Sequence, residues 1–234
     1  MSRQSSPPSP LAFLVTAAGC GSRMGGGEKK EYRKLGSRSV LETTVLAMID
    51  AGIFDFGVIT CPVGKIDTTK EILSPIDSLI SDSGISILYC EGGAERQDSV
   101  LNGLEKLNTH HPETAAVLIH DGARPWVSPA VIRSVAQALT GAGGAAPVVP
   151  SVDAMKQIDG SGIITHHLPR RETVSVQTPQ GFRFREILQA HRKASTDGRK
   201  YIDDTEIFSR YAGEVTTVAG ETANKKITYA EDLG

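Results

Sequence analysis

The sequence predicts an α/β chain: a Rossmann-like, mostly parallel twisted sheet with helices on both faces and a projecting β-hairpin arm. Three observations carry this. Short apolar, β-branched runs recur at Leu11–Ala17, Phe56–Cys61, Ile85–Cys90, Ala116–His120, Ala145–Pro150 and Glu214–Val218. Stretches with helical spacing lie between most of them, at Val40–Ala51, Ser99–Leu107, Pro129–Leu139 and Phe184–Lys193. The runs AFLV and AVLI are apolar without a break, as strands covered on both faces must be.

In chain order, Met1–Pro10 is rich in Ser and Pro and reads as a disordered leader. Residues 11–234 read as a single domain, the expected count for 234 residues. Ser151–Gln177 breaks the alternation. Its turn signal Asp159-Gly160-Ser161-Gly162, flanked by Met155–Ile158 and Ile163–His167, predicts a hairpin arm that a partner chain could cover.

Composition excludes several classes. Lys and Arg number 25 against 27 Asp and Glu, a net charge of -2, so no basic excess is available for holding nucleic acid. Aromatics at 5% give little material for base stacking. No apolar run approaches the roughly 18 residues that span a bilayer. Cys20, Cys61 and Cys90 are odd in number and form no CxxC pair, which fits a reducing cytoplasm. Leu11–Cys20 could pass for an export signal ending in a lipidated cysteine. Its short apolar stretch, with one arginine before it, reads better as the first core strand.

Three patches follow three apolar runs. After the first comes Ala17-Ala18-Gly19-Cys20-Gly21-Ser22-Arg23-Met24-Gly25-Gly26-Gly27-Glu28-Lys29-Lys30, a glycine-rich loop able to turn backbone N–H groups toward an anion. GxGxxG fits Gly19 and Gly21 but meets Met24, and GxxxxGK[ST] fits Gly21 and Gly26 but meets Gly27. Both common phosphate motifs fail, yet the loop brings its own cations, Arg23 and Lys30. The second patch, Gly92-Gly93-Ala94-Glu95-Arg96-Gln97-Asp98-Ser99, lets backbone approach a flat ligand, with Ser99 able to meet a base edge; a turn plus helix cap explains it equally well. The third is His120-Asp121-Gly122-Ala123-Arg124-Pro125. Open α/β sheets bind ligands at the carboxyl ends of strands, and Asp with Arg three residues later points to metal and phosphate in one site.

Taken together, AAGCGSRM…K, GGAERQDSV, HDGARP, DAMK, R…TPQGF and NKKIT resemble, in order, the motifs of the 2-C-methyl-D-erythritol 4-phosphate cytidylyltransferase family, from about Phe13 to Leu233. The resemblance implies transfer of the cytidylyl group of CTP to that sugar phosphate, with Mg2+ as cofactor, in non-mevalonate isoprenoid synthesis. It assigns Arg23 and Lys30 as catalytic cations on the triphosphate, with Arg170 and Lys226 as further active-site cations. Ala17, Ala18, Gly19, Gly21, Gly93 and Ser99 fall at nucleotide-binding positions, and Asp121 at the residue of the magnesium–nucleotide complex. Arg124, Arg170 and Thr178 fall on the acceptor side.

The chain departs from the family pattern at named positions. Lys29 and Glu31 flank Lys30 where proline and glutamine are usual, and Ala154 replaces the threonine of D-T-x-K, removing one hydroxyl contact to the acceptor. YIDDTEIF, residues 201–208, matches the family's TDEA region imperfectly, so no role is carried to Asp203, Asp204 or Glu206.

The implied reaction needs no activated side chain, because a phosphate monoester with a second pKa near about 6 is already a nucleophile. That makes His120, His166 and His167 structural or peripheral. CTP with an ionised phosphomonoester brings about six negative charges. Arg23, Lys30, Arg124, Arg170 and Lys226 with one Mg2+, less the charge of Asp121, match them. The alternatives are ribitol 5-phosphate as acceptor, which Ala154 keeps open, and a CTP-binding subunit without turnover, which the retained Arg23 and Lys30 oppose. The arm makes a homodimer the expected assembly.

Overall fold

Strand β1 (Leu11–Thr16) lies inside an eight-stranded sheet, and its side chains alternate between two apolar layers. Leu11, Phe13 and Val15 enter one layer, Ala12 and Leu14 the other, as the strand pleat requires. The computed structural model describes residues 6–19 and 29–233. Burying a side chain such as Phe13, which has no solvent exposure, is worth about 1.5–3 kcal/mol.

A small ribbon, β2 (Lys34–Leu35) with β3 (Arg38–Ser39), leads into helix α1 (Val40–Ile49). Ser39 caps α1, its hydroxyl accepting the Glu42 N–H while the Glu42 carboxylate accepts the Ser39 N–H, so both orphan donors are satisfied. Then follow β4 (Phe56–Cys61), α2 (Ile66–Leu73), α3 (Asp77–Asp82) and β5 (Ser86–Glu91). Helix α4 (Arg96–His110) begins earlier than its apolar spacing predicts, because Glu95 and Asp98 form a capping box ahead of Ser99. Strand β6 (Ala116–Asp121) precedes α5 (Pro129–Ala138), which starts on a Ser128 cap with proline at its first position.

Strand β7 (Gly144–Pro150) leads into the arm, where β8 (Lys156–Ile158) pairs antiparallel with β9 (Ile164–His167) across the predicted turn. Asp159 Oδ1 accepts the N–H groups of Ser161 and Ile163 at 2.9 and 3.0 Å and closes that turn. The chain returns through β10 (Val174–Val176) and β11 (Gln180–Arg183), then α6 (Phe184–Ala194), α7 (Asp204–Tyr211) and β12 (Val215–Ala219).

The sheet order is β10-β7-β11-β6-β1-β4-β5, with β12 also on β7. Strands β6, β1, β4 and β5 run parallel, as predicted, and β12 runs parallel to β7. The sheet is mixed because β11 inserts antiparallel between β6 and β7, while β10 continues along the same edge of β7. Helices α1 and α5 bury Leu41, Val45 and Ile132 on one face; α4 and α6 bury Leu104 and Ile187 on the other. Of the predicted leader, residues 1–5 lie outside the described residues, whereas Pro10 is tied to the sheet through the Ala115 N–H at 2.8 Å. Among the described residues no helix is long and apolar enough to cross a membrane.

Candidate active site

The carboxyl ends of the central strands are stitched into one floor. The Ala17 N–H donates to the Thr60 carbonyl at 3.1 Å, the Gly92 N–H to Cys61 at 2.8 Å and the Gly122 N–H to Thr16 at 2.9 Å. Gly92 is required by contact: a Cβ there would lie 2.1 Å from the Ala18 Cβ and 2.6 Å from the Ser99 Oγ. Ala18, Gly93 and Ser99, assigned to the nucleotide, therefore do meet. Ser99 Oγ accepts the Gly93 N–H and donates to the Glu95 carbonyl, each at 3.1 Å, so its proton is engaged in shaping the loop.

Asp121 closes β6 with its carboxylate held among three cations. Lys226 Nζ lies 2.7 Å and Arg124 Nε 3.5 Å from Oδ2, and Arg96 Nε lies 3.2 Å from Oδ1. Burial by itself would raise the pKa of this carboxyl, but the Arg96, Lys226 and Arg124 charges together hold it well below the usual carboxylate range. Arg96 also reaches the wholly buried Asp204 at the start of α7, with Nη2 2.8 Å from Oδ2. Asp204 in turn has burial opposed mainly by Arg96 and stays ionised, its pKa lowered.

A strap formed by residues 221–227 covers this floor. The Asn224 side-chain amide donates to the Thr178 carbonyl at 2.9 Å, and the Asn224 carbonyl accepts from Arg124 Nη1 at 2.8 Å. The Gln177 amide reaches the Glu221 carbonyl at 2.7 Å, and the Ile227 N–H donates to the Ala123 carbonyl at 2.8 Å. The strap thus seats Lys226 over Asp121. Beneath it, the Thr178 hydroxyl accepts the Asp121 N–H at 3.1 Å and lies 3.0 Å from His120 Nδ1. His120 Nε2 faces the Arg124 carbonyl at 3.0 Å, so Nε2 carries the proton and Nδ1 accepts from Thr178. Burial pushes the His120 pKa down to about 4, against the raising effect of that carbonyl.

The predicted residues divide accordingly. Asp121, Arg124, Thr178 and Lys226 come together; Ala17, Ala18, Gly93 and Ser99 line the adjoining strand ends. Lys30 Nζ donates to the Ile227 carbonyl at 2.9 Å and so joins the strap, while Lys29 Nζ donates to the Ala17 carbonyl. Gly19 is exposed and faces open space. Arg170 is exposed on the arm and makes no hydrogen bond or ion pair among the described residues. Arg23 and Gly21, like Cys20, lie outside the described residues. Sequence reasoning missed Arg96, Asp204 and Asn224 as parts of the site. The placement of Arg96 in the GGAERQDSV motif was the available signal, but an arginine in a helix's first turn reads as surface charge.

Among the described residues no group of three or more His, Cys, Asp or Glu could hold a metal unaided. Asp121 offers one carboxylate whose oxygens are both paired with cations, and a Mg2+ held there would take its remaining ligands from phosphates and water.

Residues 11–234 match the family profile described as IspD, 2-C-methyl-D-erythritol 4-phosphate cytidylyltransferase. The chain is 38% identical over 227 residues to a bifunctional enzyme IspD/IspF of Bradyrhizobium sp. (strain ORS 278), covering 95% of this chain and 54% of that one. It thus spans about half the length of the bifunctional relatives it matches. It is 35% identical to the 2-C-methyl-D-erythritol 4-phosphate cytidylyltransferase of Prochlorococcus marinus (strain MIT 9313), with 95% of both chains covered. Among solved structures, it is similar to the 4-diphosphocytidyl-2C-methyl-D-erythritol synthase of Anaerococcus prevotii DSM 20548, at TM-score 0.80 and 28% identity over 95% of this chain and 94% of that one. The Thermus thermophilus cytidylyltransferase matches at TM-score 0.73 and 31% identity over the same shares. With the family profile spanning every strand of the sheet and these relatives matching from end to end of the fold, the chain belongs to the 2-C-methyl-D-erythritol 4-phosphate cytidylyltransferase family.

Proposed function

We propose that this chain transfers the cytidylyl group of CTP to 2-C-methyl-D-erythritol 4-phosphate, giving 4-diphosphocytidyl-2-C-methyl-D-erythritol and pyrophosphate. The observation that carries this reading is the convergence of Arg96, Arg124 and Lys226 on Asp121 at the carboxyl edge of the sheet. A phosphate oxygen of the acceptor attacks the α-phosphorus of CTP, and the bond to the bridging oxygen of pyrophosphate breaks. Charge developing on the pentavalent phosphorus and the leaving group is what the site must stabilise. Arg23, Lys30 and Lys226 serve the triphosphate; Arg124, Arg170 and Thr178 serve the acceptor phosphate. No side chain removes a proton, and His120, neutral and engaged at both ring nitrogens, is built to orient Thr178. Mg2+, when bound beside Asp121, supplies further neutralisation of the triphosphate.

The arm supports a homodimer. It exposes Val152, Ile158, Ile163 and Ile164, a set of apolar side chains that a second copy would cover. Arg170 meets the acceptor when the arm lies over a cleft, its own or that of the second copy. The free thiols Cys61 and Cys90 fit work in the cytoplasm.

The test is pyrophosphate release with Mg2+, CTP and each polyol phosphate in turn. Release with methylerythritol phosphate is expected; release only with ribitol 5-phosphate, or no release with any acceptor, contradicts the reading.

A further inference from the structure

Arg96 joins two carboxylates that come from opposite halves of the chain. Its Nε lies 3.2 Å from Asp121 Oδ1 and its Nη2 2.8 Å from Asp204 Oδ2. Asp204 has no solvent exposure, and its other oxygen lies 3.2 Å from His191 Nε2 on α6. The segment leading into α7 also braces the first turn of α4. Lys200 pairs with Glu95, and Gln97 holds the Arg199 carbonyl at 3.1 Å and the Tyr201 N–H at 3.0 Å.

This arrangement suits a planar guanidinium fork and no other side chain. Arginine presents several donors in a rigid plane, so one side chain can serve two carboxylates and fix both, whereas a lysine ammonium is a point charge on a flexible stem. Among the described residues neither of the other cations on Asp121 pairs with a second carboxylate. The Lys226 side chain is 37% exposed, and Arg124 Nε stands at 3.5 Å, beyond normal hydrogen-bond length.

We propose that Arg96 is a positioning residue: anchored by buried Asp204, it fixes the orientation of the Asp121 carboxylate toward the nucleotide. Helix α7 thereby contributes to nucleotide binding without touching the ligand. The inference rests on the cytidylyltransferase reading, in which Asp121 belongs to the nucleotide side of the site.

The experiment is CTP binding in the presence of Mg2+ and without acceptor, followed by titration calorimetry extended into the millimolar range. Asp204→Asn and Arg96→Lys are each made in the unchanged chain and in an Asp121→Asn background. Each is expected to weaken CTP binding about tenfold in the unchanged chain, the scale of one charge-assisted hydrogen bond. In the Asp121→Asn background each should cost less than about twofold, because the group being positioned is gone. Equal losses in both backgrounds, or no loss in the unchanged chain, overturn the proposal; equal losses would mean that Arg96 acts on the nucleotide directly or only through the fold. Should Asp204→Asn fail to fold, the Arg96→Lys pair decides. Absence of CTP binding by the unchanged chain contradicts the cytidylyltransferase reading as a whole and this proposal with it.

Discussion

Lys226 Nζ lies 2.7 Å from Asp121 Oδ2, so the lysine of the C-terminal strap and the carboxylate at the end of β6 neutralise each other. Of the three cations on Asp121 among the described residues, Lys226 has the most exposed side chain, at 37%, against 28% for Arg96 and 13% for Arg124. Lys226 is therefore the cation that can turn toward a phosphate at least cost, while Arg96 and Arg124 keep Asp121 charged.

Asp121→Asn leaves three cations facing a neutral amide. Removing one partner of a buried charge cluster costs about 3–5 kcal/mol. Lys226→Ala, at a more exposed position, should lower stability much less, although both variants should lose at least about 10²-fold in turnover. Chemical denaturation and pyrophosphate release on the two proteins check this. A Lys226→Ala protein less stable than Asp121→Asn would contradict the assigned geometry.

Asn224 is wholly buried and ties the strap to Thr178. Asn224→Ala removes that donor and leaves the Thr178 carbonyl unsatisfied, at a cost of about 1–3 kcal/mol. Because the strap seats Lys226, turnover should fall in the same variant at temperatures where it remains folded. Full activity in a folded Asn224→Ala protein would show that the strap does not place Lys226.

Glu31 is 4% exposed, and its Oε2 has no hydrogen-bond partner among the described residues. Burial raises the pKa of its carboxyl against the lowering pull of Lys29 and Lys30. The folded state therefore holds this proton more firmly than the unfolded chain, and stability is lost as pH rises from the ordinary value of 4.5 through the raised one. Glu31→Gln should raise the melting temperature at pH 7, with the gain vanishing below about pH 4.5. A melting temperature unchanged or lowered at pH 7 would count against a strained, buried carboxylate.

His120 has the opposite sign. Its folded pKa is depressed to about 4 from 6.5, so the unfolded state takes up the proton first as pH falls. Stability held above pH 6.5 should be lost down to about pH 4, by about 3 kcal/mol in full. His120→Gln keeps hydrogen-bonding groups but does not titrate, and should flatten that part of the stability profile. An equally steep profile in the variant would assign the acid sensitivity elsewhere.

The parallel core was legible because burial on both faces writes itself as unbroken apolar runs. Phe56–Cys61 was bounded correctly from that signal alone, and the arm's turn from its glycines and Asp159. Strand β11 was not legible: Gln180-Gly181-Phe182-Arg183 is short and half polar, and its place between β6 and β7 is fixed by pairing across the sheet. Helices α2, α3 and α7 are short, and their apolar faces are narrow. Asp121, Arg124 and Lys226 could be named from motifs because each stands in one. The Arg96–Asp204 pair could not: Arg96 also stands in a motif, GGAERQDSV, but nothing around either residue shows that its partner is a distant buried charge.

The central claim is attack at the α-phosphorus of CTP, and labelling that atom tests it most directly. With [α-32P]CTP, Mg2+ and methylerythritol phosphate, the label should appear in a cytidine-diphosphate-linked polyol while unlabelled pyrophosphate is released. Label remaining in CTP, or label in CDP with transfer of the terminal phosphate, would contradict the account.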